Sequence, residues 1–93
     1  MEFTLNTSHA PHMQYEYIVD GRKLGEITWA ERDGIMHMDH TFVSGELRGQ
    51  GIAKKLLDAA AAYARDNELK MRAICSYVVD AFNRYEDYND VKA

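Results

Sequence analysis

The sequence predicts an α/β (α+β) domain: an antiparallel β-meander leads into a β-α-β crossover and closes on a C-terminal helix. Three observations predict it. Apolar and polar residues alternate through the first half of the chain. Two Asp-Gly pairs, Asp20–Gly21 and Asp33–Gly34, cut that half into hairpins. After Gln50 the apolar period changes from two to the helical 3.6.

The elements follow in order. Phe3 to Asn6 reads as a short strand, and Ser8 to Pro11 as a turn, since proline cannot donate to a ladder. Met13 to Val19 is the next strand. Leu24 to Glu31 follows the first Asp-Gly turn, with Leu24, Ile27 and Trp29 as core residues. Ile35 to Val43 (IMHMDHTFV) alternates, which places Met36, Met38, His40 and Phe42 on one face and His37, Asp39, Thr41 and Val43 on the other. Ile52, Leu56, Ala60 and Tyr63, joined by Ala53, Leu57 and Ala64, give a helix from about Gln50 to Asp66, ended by Asn67. Leu69 to Ile74 reads as a short strand, parallel to Ile35–Val43 because a helix joins them. A second helix begins at Tyr77 or Val79 and runs to about Asp87. The Phe3–Asn6 edge could pair with another chain, although edges are often simply protected, so the oligomeric state reads as monomer or weak dimer.

With 93 residues the chain makes one domain over 1–93. The net charge of −4 lacks the basic field that non-specific nucleic-acid binding needs. The single cysteine, Cys75, allows no internal disulfide and suits a reducing compartment. The N-terminal MEFTLNTSHAPH has no signal-peptide pattern, and no run approaches a membrane span. The expectation is a cytoplasmic protein with no membrane partner and no metal.

The stretch that points to chemistry is GELRGQGIAKKL, Gly45 to Leu56. Its glycines stand where a strand hands over to a helix. A helix N-terminus presents unpaired N–H groups and about half a positive charge, and so receives phosphate. Gly49 and Gly51 would let the backbone approach a ligand, and Arg48 adds a cation. The P-loop pattern fails because Ile52 follows Gly51, and the dinucleotide fingerprint fails at Lys54. What fits is R-x-x-G-x-A over Arg48 to Ala53. A glycine-rich turn holding no ligand is the plain alternative.

That pattern, in that position, resembles the acyl-CoA pyrophosphate loop of the GCN5-related N-acetyltransferases (GNAT). DHTFV (Asp39–Val43), ICSYV (Ile74–Val78) and FNRYEDYNDV (Phe82–Val91) are similar to the very small single-domain members of the YjdJ type, from about Leu24 onward. One departure is Ser44, where relatives often carry proline. The resemblance implies a GNAT-like fold and a protein that binds acetyl-CoA (coenzyme A) as cosubstrate and passes acetyl to an amine or protein acceptor. It implies cofactor contacts from Phe42, Val43, Arg48, Gly49, Gln50, Gly51, Ile52, Ala53, Lys54 and Asn83.

Three residues are candidates for catalysis. Cys75 ends the later parallel strand, where such sheets carry their sites. Paired with His40, it could accept acetyl from the thioester. His40 could instead act as general base for direct attack by an amine, or be a core histidine. Cys75 could simply be a buried small hydrophobe. Tyr77 could protonate the departing thiolate or pack the second helix. Asn83 and Arg84 could meet the pantetheine arm or a phosphate, and Lys54 and Lys55 could be solvated. Two other readings stand beside transfer: a non-catalytic CoA-binding module, and a small protein-interaction domain.

Overall fold

The computed structural model describes residues 2–93. Its elements are β1 (Thr4–His9), β2 (His12–Val19), β3 (Arg22–Arg32), β4 (Ile35–Val43), a 3-10 turn (Gly45–Leu47), α1 (Ile52–Asp66), β5 (Lys70–Ala73), α2 (Ser76–Arg84) and a second 3-10 turn (Glu86–Tyr88). One five-stranded sheet has the order β1-β2-β3-β4-β5. The first four strands are antiparallel, and β5 joins β4 in parallel through α1. The predicted fold class therefore stands.

Both Asp-Gly turns have positive φ at both residues, 50° and 77° at Asp20–Gly21 and 53° and 77° at Asp33–Gly34. Such turns match the right-handed twist of their strands, which is why each hairpin closes in two residues. β1 runs on to His9, so Ser8 belongs to the strand and the turn shrinks to Ala10–Pro11. β5 is shorter than predicted at both ends, and α2 starts one residue earlier than Tyr77.

Both helices pack on one face of the sheet. α1 buries Ile52, Leu56, Leu57, Ala60, Ala61 and Ala64 there, against Ile27, Trp29, Met36, Met38 and Met71, all at 0% exposure. The small alanines let the helix approach closely. Gly25 extends that approach: a Cβ on it would stand 3.3 Å from Leu56 Cδ1. Val78, Ala81 and Phe82 of α2, then Tyr88 and Val91, complete the core. The C-terminus covers β5, with the Met71 amide donating to the Val91 carbonyl at 2.7 Å and Ala93 N–H to Met71 O at 2.8 Å.

The opposite face carries no helix. It presents Gln14, Glu16, Glu26, Thr28 and His40, linked by cross-strand pairing. Glu16 is buried there under contacts from Gln14 and Lys23.

A bulge decides the geometry of β4. Thr28 pairs with His40 but Trp29 with Met38, so Asp39 is an extra residue opposite one bond of the ladder. An extra residue reverses the alternation beyond it. Met36 and Met38 point into the core, but from Asp39 onward it is Thr41 and Val43 that turn inward, while His40 and Phe42 are exposed. The expected common face of Met36, Met38, His40 and Phe42 is corrected accordingly.

Candidate active site at the end of strand β4

Strand β4 outruns its neighbour. The β4–β5 ladder ends at Met38–Ala73, and the Ile74 and Cys75 amides both donate to the Met38 carbonyl, at 3.1 and 2.9 Å. The chain then turns into α2 with Cys75 as an extended N-cap residue. From Asp39 to Val43, β4 has no partner on the β5 side, and a wedge opens between the strands.

At that wedge Cys75 is half-buried and Thr41 Oγ1 lies 3.4 Å from its Sγ. His40 is level with them but on the other face, its Nε2 3.4 Å from a Glu26 carboxylate oxygen. The expected Cys75–His40 pair does not form, because the bulge sends the imidazole outward. Thr41 takes the place beside the thiol. Strict alternation hid Thr41, and nothing in the sequence marks the bulge.

The glycine turn leads into α1 with Gly49 at φ 82° and Gly51 at φ 69°. Glycine adopts these values without the strain most side chains would add, and neither position has another atom within 4 Å of where a Cβ would stand. Gly51 is the N-cap, and the first helical hydrogen bond to it comes from Lys55 N–H at 3.1 Å. The first-turn amides of Ile52, Ala53 and Lys54 make no bond within the helix and face outward for a ligand, whereas the Arg48 and Gln50 amides are taken by the Gly45 and Leu47 carbonyls. A hollow of about 280 Å³ lies over this turn, lined by Val43, Arg48, Gly49, Gly51, Ile52 and Ala53 among others.

A larger cleft of about 590 Å³ lies between α1 and α2 and shares Gly51 and Ala53 with the hollow. Lys54, Tyr77, Asp80, Ala81, Arg84 and Tyr85 form its remaining wall. Burial pushes the Tyr77 phenol up from its ordinary value of 10.0, and the neighbouring Tyr85 adds to the effect. Lys54 is held fast: its ammonium reaches Asp58 and Asp87 at 3.3 Å and stands 4.8 Å from the centre of the Tyr85 ring. Burial works against its charge, but the hydrogen bonds and charges of Asp87 and Asp58 prevail and raise its pKa.

Of the ten residues expected at the cofactor, seven line these two spaces. Phe42, Gln50 and Asn83 are exposed and line neither. Asp80 and Tyr85 were missed. Their signal was the spacing Tyr77, Asp80, Ala81, Arg84, readable as one helix face once the helix starts at Ser76.

The family model of the GCN5-related N-acetyltransferases matches residues 14–91. The chain belongs to the GCN5-related N-acetyltransferase family. A GCN5-like N-acetyltransferase candidate from Staphylococcus aureus, solved in solution, is 34% identical; this GNAT chain covers 99% of itself and 87% of that one, with a TM-score of 0.73. A ribosomal-protein-alanine N-acetyltransferase from Brucella melitensis shares the fold at 23% identity, with 92% of this chain and 64% of that chain covered and a TM-score of 0.67. An aminoglycoside N-acetyltransferase in complex with CoA does so at 14% identity, covering 83% and 69%, with a TM-score of 0.61. No curated protein matches the chain.

Proposed function

We propose that this GNAT domain binds acetyl-CoA across the glycine turn and the α1–α2 cleft, and transfers acetyl to an amine or protein acceptor. The observation that carries the proposal is the N-terminus of α1. Two glycines at positive φ leave its amides clear, exposed Arg48 stands beside them, and the hollow above runs into the cleft toward Tyr77. Free amides and a guanidinium suit a diphosphate. The unpaired edge of β4 suits the amide-bearing arm that follows it, since a strand edge offers N–H and C=O groups in a row. The neighbour solved with CoA supports the same ligand.

CoA supplies an activated thioester, and the remaining steps belong to this chain. In this reading Cys75, beside Thr41 at the wedge, loses its S–H proton to solvent and takes the acetyl group on sulfur, the new sulfur–carbonyl bond forming as the donor's carbon–sulfur bond breaks. Tyr77 keeps its proton at neutral pH and is placed to give it to the departing thiolate. His40 faces the open side with Glu26, so its role is to take a proton from an acceptor arriving there, not from Cys75. Lys54, occupied by Asp58 and Asp87, shapes the cleft and holds the Tyr85 ring.

The test is mass spectrometry of the protein with acetyl-CoA, under native and denaturing conditions, beside Cys75→Ser. A native complex and an acetyl adduct that is lost in Cys75→Ser carry the full reading. A complex without adduct leaves direct transfer and the non-catalytic module, which an amine panel separates. No complex at all removes the glycine-turn argument.

A further inference from the structure

The thiol at the wedge has a hydroxyl in contact with it and the open end of a helix beside it. Thr41 Oγ1 and Cys75 Sγ stand 3.4 Å apart, and both residues are half-buried. Cys75 is the N-cap of α2, and the first bond of that helix runs from the Val79 amide to the Cys75 carbonyl at 3.1 Å. The amides of Ser76, Tyr77 and Val78 therefore make no bond within the helix. His40, next to Thr41 in the chain, lies on the other face of the sheet with Glu26. The nucleophile nearest to the sulfur is thus the Thr41 hydroxyl, and the imidazole is kept away from both.

We infer that Thr41 is itself an acetyl acceptor: acetyl carried on Cys75 moves to the Thr41 oxygen when no other acceptor is bound. The inference rests on the reading above, in which Cys75 takes acetyl from the CoA thioester. Thr41 Oγ1 attacks the carbonyl carbon of the acetyl group on Cys75. The oxygen–carbon bond forms as the sulfur–carbon bond breaks, and the hydroxyl proton passes to the departing sulfur, which restores the thiol. Nothing is oxidised or reduced. The product is an oxygen ester on Thr41, less activated than the thioester it comes from, so the step runs downhill. An acetyl group there fills the place beside the thiol and so closes the wedge after turnover without an acceptor.

Distance and charge both favour the step. The carbonyl carbon of an acetyl group on Sγ is one bond from the sulfur, so a hydroxyl in contact with that sulfur falls in the range of roughly 3–3.5 Å at which reacting atoms meet. Groups held in that way react as though at effective molarities of about 10⁵ M or more, beyond what solvent water supplies. The negative charge that develops on the carbonyl oxygen meets the free amides at the start of α2. His40, across the strand, does not reach the Thr41 proton, which is why the proton goes to sulfur.

The experiment incubates the full chain with acetyl-CoA and no acceptor and stops samples over time. Neutral hydroxylamine then removes thioesters and spares oxygen esters, and tandem mass spectrometry of peptides maps the acetyl that remains. The wild type should gain resistant acetyl on Thr41 as the labile adduct on Cys75 declines. Thr41→Val, nearly equal in size, should carry no ester and keep the labile adduct at least about tenfold longer. Thr41→Ser should restore the ester at position 41, and Cys75→Ala should show none. A Cys75 adduct that disappears from the wild type with no ester on Thr41 overturns the inference and leaves the CoA reading standing, as does resistant acetyl found only on lysine. An ester on Thr41 in Cys75→Ala overturns the sulfur-to-oxygen step in favour of direct attack on the donor. A native complex with acetyl-CoA but no adduct overturns the inference together with the thioester on Cys75, while CoA binding stands. No native complex overturns the CoA reading itself, and the inference with it.

Discussion

Thr41 and Cys75 face each other across the wedge, oxygen to sulfur at 3.4 Å, while His40, one residue before Thr41, points to the opposite face of the sheet. The chemistry available to the thiol is therefore set by a hydroxyl and by the start of α2, and the imidazole is separated from it by the strand itself.

Alkylation of Cys75 reads this arrangement directly. In Thr41→Val the rate of reaction with iodoacetamide should change by about threefold or more, because the group touching the sulfur is replaced. In His40→Ala it should stay within about twofold of wild type. The opposite pattern would mean that the imidazole reaches the thiol.

Gly51 carries the phosphate argument. A glutamate there must adopt φ 69°, which costs an L-residue about 1–2 kcal/mol and places a negative charge at the helix N-terminus. CoA affinity in Gly51→Glu should fall by about a hundredfold or more, with Tm lowered by roughly 5–15 °C. Gly51→Asn tolerates the backbone and adds no charge, so it should stay within about tenfold of wild type in calorimetry.

Gly25 fixes how close α1 comes to the sheet. Its Cβ would meet Leu56 Cδ1 and the Phe42 carbonyl oxygen, both at 3.3 Å. The carbonyl is backbone and cannot swing away. Gly25→Ala should cost about 1–3 kcal/mol, seen as a lowered urea midpoint at unchanged m. The displaced α1 N-terminus should weaken CoA binding as well, which Leu57→Met, deeper in the helix, should not do.

Tyr88 ties the C-terminal turn to α1. Its ring is buried and its hydroxyl donates to Asp58 at 2.6 Å. Burial first, then the hydrogen bond and charge of Asp58, push the phenol far above its ordinary value of 10.0. The folded state therefore keeps a proton that the unfolded chain releases near pH 10, so this contribution is complete below pH 10 and drains away as pH rises further. Tyr88→Phe should cost about 1–2 kcal/mol at neutral pH. The gap to wild type should close as denaturation is followed from pH 9 to about pH 11.5. A constant gap would remove the Asp58 contact as its source.

The sequence alone determined the meander, the crossover and the glycine turn, because each rests on local physics: Asp-Gly pairs that accept positive φ, a periodicity that changes at Gln50, and glycines where a helix begins. It also placed Ile27, Trp29 and Leu56 in the core. Only the tertiary structure decided what faces the thiol. Asp39 is bulged because the pairing of β4 with β3 slips between Met38 and His40, a long-range event with no local signature. One extra residue exchanged the faces of His40 and Thr41. The cleft wall of Asp80 and Tyr85 was likewise set by where α2 docks, and docking depends on the whole sheet beneath it.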